Sequence, residues 1–118
     1  MKLLVIITES PWGASLSSAA LRFVRTALQQ GHSIPAVFFR DDGVYHALGG
    51  RLSDDGLPRP ATAWQTMAGQ GPRLLVCSAA AARRLDATAA EISGGAFQEA
   101  GLAQLWDLAS RSDRVVTF

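Results

Sequence analysis

Three short runs in this chain carry almost no polar side chains: LLVII at Leu3–Ile7, IPAVFF at residues 34–39 and LLVC at residues 74–77. A strand with one face in water alternates apolar and polar residues. A strand apolar on both faces needs cover on both, and that is the condition of a parallel sheet between two layers of helix. The segments between the runs supply the helices. Leu16, Ala20, Phe23, Val24, Ala27 and Leu28 recur at helical spacing and leave Arg22, Arg25 and Gln29 on the opposite side, which predicts a helix over residues 15–30. Ser15 or Ser17 is placed to cap its start, and Gly31 suits the left-handed position past its end. The expected fold is α/β: one three-layer domain over residues 1–118, with a mostly parallel sheet and helices on both faces.

The remaining elements keep the same alternation. Pro35 has no N–H and belongs at a strand start or edge. Asp41-Asp42-Gly43 reads as a turn, followed by a short helical piece around residues 44–48, and the Gly-, Pro- and Asp-rich residues 49–60 read as a loop. Trp64, Met67 and Ala68 mark the inner side of a helix over residues 61–68, ended by Gly69 and Gly71-Pro72. After the third apolar run, Ser78 is placed to cap a helix carrying four alanines and Arg83-Arg84. Residues 86–95 read equally as frayed helix or loop. Leu102, Leu105, Trp106 and Ala109 form one more amphipathic pattern, and residues 114–118 read as the last strand.

Composition narrows what such a domain does. A chain of 118 residues buries roughly two-thirds of its unfolded surface, enough for a core without staples. With 48% hydrophobic and 18% charged residues it is not a disordered chain. A formal net charge of +1 selects for neither nucleic acid nor an acidic membrane surface. One cysteine excludes a disulfide framework, and one cysteine with two histidines matches no zinc spacing, so no metal is expected. The apolar run at the N-terminus is too short for a signal-peptide core and no run is long enough to span a membrane, so the expected location is the cytoplasm. The large rings Trp12, Phe38, Phe39, Tyr45, Trp64, Phe97 and Trp106 are many for one small core, which points to an oligomer, unless all seven pack within the monomer.

In parallel sheets reactive groups gather at the carboxyl ends of the strands. Here those ends are residues 8–13, residues 40–45 and Cys77-Ser78. Cys77 ends an apolar strand and directly precedes a helix start, where free N–H groups and the helix dipole favour a thiolate, the form that attacks disulfides and persulfides. Position alone leaves a second reading open, a small buried hydrophobe finishing a strand. Ser78 is placed to donate a hydrogen bond, and Arg83 or Arg84 adds positive field if the fold brings it round. His46 is either a general base toward Cys77 or a solvated loop histidine, and His32 is ordinary for a helix C-terminus. Glu9, Asp41 and Asp42 fit turns better than a catalytic carboxylate pair. Residues 13–18 lack both dinucleotide and P-loop glycine spacing, so no nucleotide or flavin is expected.

The segment LLVCSAAAARRL resembles the cysteine segment of the DsrE/TusD family of small sulfur-transfer proteins: an apolar strand, a cysteine, alanines, then two basic residues. Other landmarks agree in order. They are Pro11-Trp12-Gly13 before a Ser/Ala-rich helix, QQGHSIPAVFFRDDGVYHA with its Gly-His helix stop and Asp-Gly-Val turn, and the closing GLAQLWDLASRSDRVVTF. The resemblance spans nearly the whole chain. It implies a flavodoxin-like domain in which Cys77 carries sulfane sulfur as a persulfide, without metal or organic cofactor. Gly13, Val44, Tyr45, His46 and Ser78 then become the surrounding pocket. It also implies a hetero- or homo-oligomer, a hexamer in the relay system, with TusB- and TusC-like (or DsrF- and DsrH-like) subunits, a TusA-like donor and a TusE-like acceptor. Neither a membrane nor direct nucleic-acid contact is expected. The destination of the sulfur is tRNA 2-thiouridine or, on the other branch, dissimilatory sulfur oxidation. The chain departs from the family pattern at Leu85, where a glycine is common, in a short residues 86–95 segment and in the residues 49–60 loop.

Overall fold

A computed structural model describes residues 1–12, 15–48, 60–85 and 96–118. The chain runs β1 (Leu3–Ile7), α1 (Ser15–Gln29), β2 (Ala36–Phe39), a 3-10 helix (Asp41–Ala47), α2 (Pro60–Ala68), β3 (Arg73–Cys77), α3 (Ser78–Arg84), β4 (Phe97–Ala100), α4 (Leu102–Ser110) and β5 (Arg114–Thr117). The five strands form one sheet in the order β4-β3-β2-β1-β5, and every neighbouring pair is parallel. Each apolar run became a strand, and β1 and β2 are buried at every position.

Parallel partners share a face, so Ile7, Phe39 and Val76, aligned in register, point the same way. The Phe39 ring meets Trp64 of α2 edge-on at 5.2 Å, which puts α2 on that face, and α1 packs beside α2. The steps from β1 through β4 all move in one direction along the sheet, whereas β4 to β5 returns. Right-handed crossovers therefore leave α4 to cover the opposite face. Its Leu105 is buried there.

Several boundaries differ from the sequence reading. β2 begins at Ala36 because Pro35 contributes only its carbonyl, which accepts from the Arg73 N–H at 3.1 Å. The expected Asp-Asp-Gly turn is the first half of the 3-10 helix, entered through Asp41 at φ 51°. Ser17 lies inside α1, not at its cap. Gly31, at φ 86°, ends α1 as expected. β4 has no counterpart in the sequence reading: Gln98 and Glu99 are exposed on an edge strand, so no apolar run announces it. The expected 49–60 loop (but for Pro60, in α2) and the ambiguous segment 86–95 lie outside the described residues.

Five of the seven large rings pack inward to some degree, with Phe38, Phe39, Trp64 and Phe97 buried and Tyr45 half-buried. Trp12 and Trp106 do not, at 43% and 74% exposure.

Candidate functional site at the carboxyl edge

Cys77 is the last residue of β3 and the N-cap of α3, aligned with Ala100 at the end of β4. Alternation from Val76 turns its side chain to the face opposite Phe39. The residue is only 5% exposed. Ser78 is the first residue of α3 and not its cap. Its hydroxyl leaves the helix and donates to the Ala100 carbonyl at 3.3 Å, pinning the start of α3 to the end of β4. Ala80 and Ala81 are buried, and their small side chains let α3 lie close against the 3-10 helix.

That 3-10 helix spans the carboxyl edge. It packs against α2, α3 and the ends of β2 and β3. Gly43 reaches β1, where an added Cβ would collide with the Ile7 carbonyl oxygen. Val44 is fully buried and Tyr45 half-buried, its ring 5.2 Å from that of Trp12. Arg84, in the last turn of α3, donates to Asp42 at 2.8 Å. Hydrogen bonding to Asp42 raises the Arg84 pKa further above its ordinary value. The two arginines therefore serve α3's far end: seven residues of helix set Arg84 about 10 Å from Cys77 along the axis.

His46 answers neither expectation. It is 1% exposed, so it is not a solvated loop histidine. Both ring nitrogens are engaged, so neither is left to take a proton from Cys77. The Trp64 indole N–H donates to Nδ1 at 3.1 Å, and Nε2–H donates to the Glu9 carbonyl at 3.1 Å. Burial lowers its pKa from 6.5 to about 4, against a smaller opposing effect of the Glu9 bond, so the ring is neutral at pH 7. The sequence reading missed this link to Trp64 because nothing in the spacing pairs the two residues. It also missed the Asp42–Arg84 pair. Gly13 lies outside the described residues. His32 accepts at Nδ1 from the terminal amine of Met1, 3.1 Å away, far in the fold from the carboxyl edge.

No group of three or more His, Cys, Asp or Glu placed to hold a metal ion occurs among the described residues. No described helix is long and apolar enough to cross a membrane. The order of strands reverses between β1 and β5. At that reversal the Phe118 carbonyl accepts from the Thr8 N–H at 2.7 Å and from the Thr8 hydroxyl at 3.0 Å, so the two segments stay joined past the strand ends. Cys77, on the same edge, brings a thiol, the strongest nucleophile among the described side chains at the strand ends.

A parallel α/β sheet with a lone cysteine at the junction of strand and helix defines a class of small thiol proteins. The chain belongs to the DsrE/DsrF-like family, whose model matches residues 1–118. It is similar to the protein named Sulfurtransferase TusD of Cronobacter sakazakii, at 37% identity, and to that of Salmonella newport, at 36%, each covering 100% of both chains. Its fold is that of the ychN protein from E. coli, with a TM-score of 0.82 over 100% of both chains at 21% identity.

Proposed function

We propose that this chain is a sulfurtransferase subunit, acting as one unit over residues 1–118, that holds sulfane sulfur as a persulfide on Cys77 and hands it to an acceptor protein thiol. The observation that carries the reading is the placement of Cys77 as N-cap of α3 on the carboxyl edge, in a chain similar over its full length to proteins named Sulfurtransferase TusD. The chemistry needs no external oxidant. The Cys77 thiolate attacks the terminal sulfur of a donor persulfide, a new S–S bond forms as the donor's own breaks, and the donor leaves as a thiolate. An acceptor thiolate then repeats the attack on the outer sulfur and returns Cys77 to its thiolate.

In this reading the sulfur travels in a Tus-type relay toward tRNA 2-thiouridine. TusB- and TusC-like subunits complete a hexamer, a TusA-like protein is donor and a TusE-like protein acceptor, all in the cytoplasm. The dissimilatory sulfur-oxidation branch, with DsrF- and DsrH-like partners, uses the same step. Exposed Leu102 and Trp106 on α4, with Val115 on β5, give an assembly apolar surface to cover. Val44, Tyr45 and Ser78, with Gly13, belong to the surroundings of the sulfur in this reading.

The 5% exposure of Cys77 favours a second reading, a non-catalytic interaction subunit whose cysteine is core. Isotopically labelled sulfane sulfur on a donor protein separates the two. Label passing through the chain to an acceptor thiol, and failing to pass through Cys77→Ser, supports the carrier. Equal passage through both proteins leaves the interaction subunit.

A further inference from the structure

We propose that His46 is a positioning residue for Cys77: as the neutral Nε2–H tautomer it ties the exit of β1 to α2 and fixes the 3-10 helix on which α3, the helix capped by Cys77, is seated. The polarity of its two partners dictates the tautomer. An indole N–H only donates and a backbone carbonyl only accepts, so Nδ1 must be bare and Nε2 must carry the proton. Neither the other tautomer nor the imidazolium satisfies both. Water does not substitute, because the ring is buried between Phe39, 5.5 Å away between centroids, and Trp64, 6.1 Å away.

The elements that the ring joins are those that set the edge. Glu9 is the second residue after β1, and Trp64 is central in α2. Tyr45, the preceding residue, packs its ring at a tilt against that of Trp12, so consecutive side chains of the 3-10 helix hold two points of the segment after β1. On the other flank the 3-10 helix packs along α3 and binds its end through Asp42 and Arg84. That ion pair is partly exposed, whereas the His46 ring and its bond from Trp64 are buried, so His46 is the firmer anchor. The ionisable groups on the elements around it are Glu9, Arg40, Asp41, Asp42, Tyr45, Cys77, Arg83 and Arg84, with Arg73 at the far end of β3; α2 has none. The low pKa of the ring agrees with a site that admits only the neutral form.

The functional consequence rests on Cys77 being the sulfur carrier, and the test keeps the two apart. Long-range nitrogen–proton NMR of the whole protein at pH 7 is expected to show His46 neutral with the proton on Nε2. A protonated Nδ1 or an imidazolium overturns the proposal. Labelling of Cys77 by a dipyridyl disulfide, which reacts in acid as well, is then compared among variants. His46→Phe, which keeps the bulk and loses both bonds, should label at least about tenfold faster, the factor equivalent to about 1.4 kcal/mol for a lost buried hydrogen bond. His46→Asn, which keeps an acceptor for Trp64, should recover most of that change. Lowering the pH toward 4 should raise the wild-type labelling rate relative to that of His46→Asn at the same pH, a ratio in which the pH response common to both proteins cancels. A folded His46→Phe that labels at the wild-type rate overturns the proposal. If that variant does not fold, Trp64→Phe, with the same expected acceleration, decides. Loss of sulfur uptake by the wild type with the tautomer intact refutes the carrier reading alone.

Discussion

Gly43 lies so close over the end of β1 that any side chain would be driven into the Ile7 carbonyl oxygen. The contact lets the 3-10 helix sit directly on the sheet's carboxyl edge, within reach of α2 and α3. Gly43→Ala must push that helix outward or bend β1. Overpacking of this kind costs about 1–3 kcal/mol, read as a lower urea midpoint with an unchanged slope. Faster labelling of Cys77 should accompany it, since α3 loses its seat.

Stability should depend on pH through His46. Its folded-state pKa, about 4, lies below the 6.5 of the unfolded chain, so between these values the unfolded state binds the extra proton. Its contribution is complete above about pH 6.5 and is lost as the pH falls toward 4, by about 3 kcal/mol in all. Carboxylates titrate over the same range, so the difference between wild type and His46→Asn is the quantity to measure. Urea unfolding at several pH values should show the two curves converging in acid.

The Asp42–Arg84 pair should contribute little to stability despite its 2.8 Å length, because the side chains are 60% and 28% exposed. A double-mutant cycle with Asp42→Asn and Arg84→Gln is expected to give only a small coupling, shrinking further in high salt.

Trp106→Ser should leave the unfolding free energy of the isolated chain within about 0.5 kcal/mol of the wild type, since the side chain is 74% exposed and contributes little core. In the proposed assembly its effect should fall on association. Sedimentation of the assembled complex should shift toward smaller species, while a lower midpoint would place Trp106 in the fold.

The middle of the sheet was legible because its three inner strands are apolar on both faces, a pattern that Leu3–Ile7 carries without interruption and that β3 carries from Leu74 to Cys77. Cys77 stood out for the same reason: a strand end and a helix start meet at one residue. What stayed hidden depended on tertiary partners. β4 is an edge strand that exposes Gln98 and Glu99, so its pairing with β3 leaves no periodic trace. His46 looked like a loop residue because only Trp64, eighteen positions away, and the Glu9 carbonyl make it a buried one. Ser78 looked like a cap because the sequence cannot show that the Ala100 carbonyl lies beside it.

The central claim is that Cys77 carries sulfur. Intact-mass measurement after incubation with a persulfide donor, on wild type and Cys77→Ser, tests it most directly. A gain of about 32 Da, one sulfur atom, is expected on the wild type alone, removed by a reductant. No gain on the wild type assembled with its partner subunits, while a control carrier accepts sulfur from the same donor, would contradict it and leave Cys77 as a core residue of an interaction subunit.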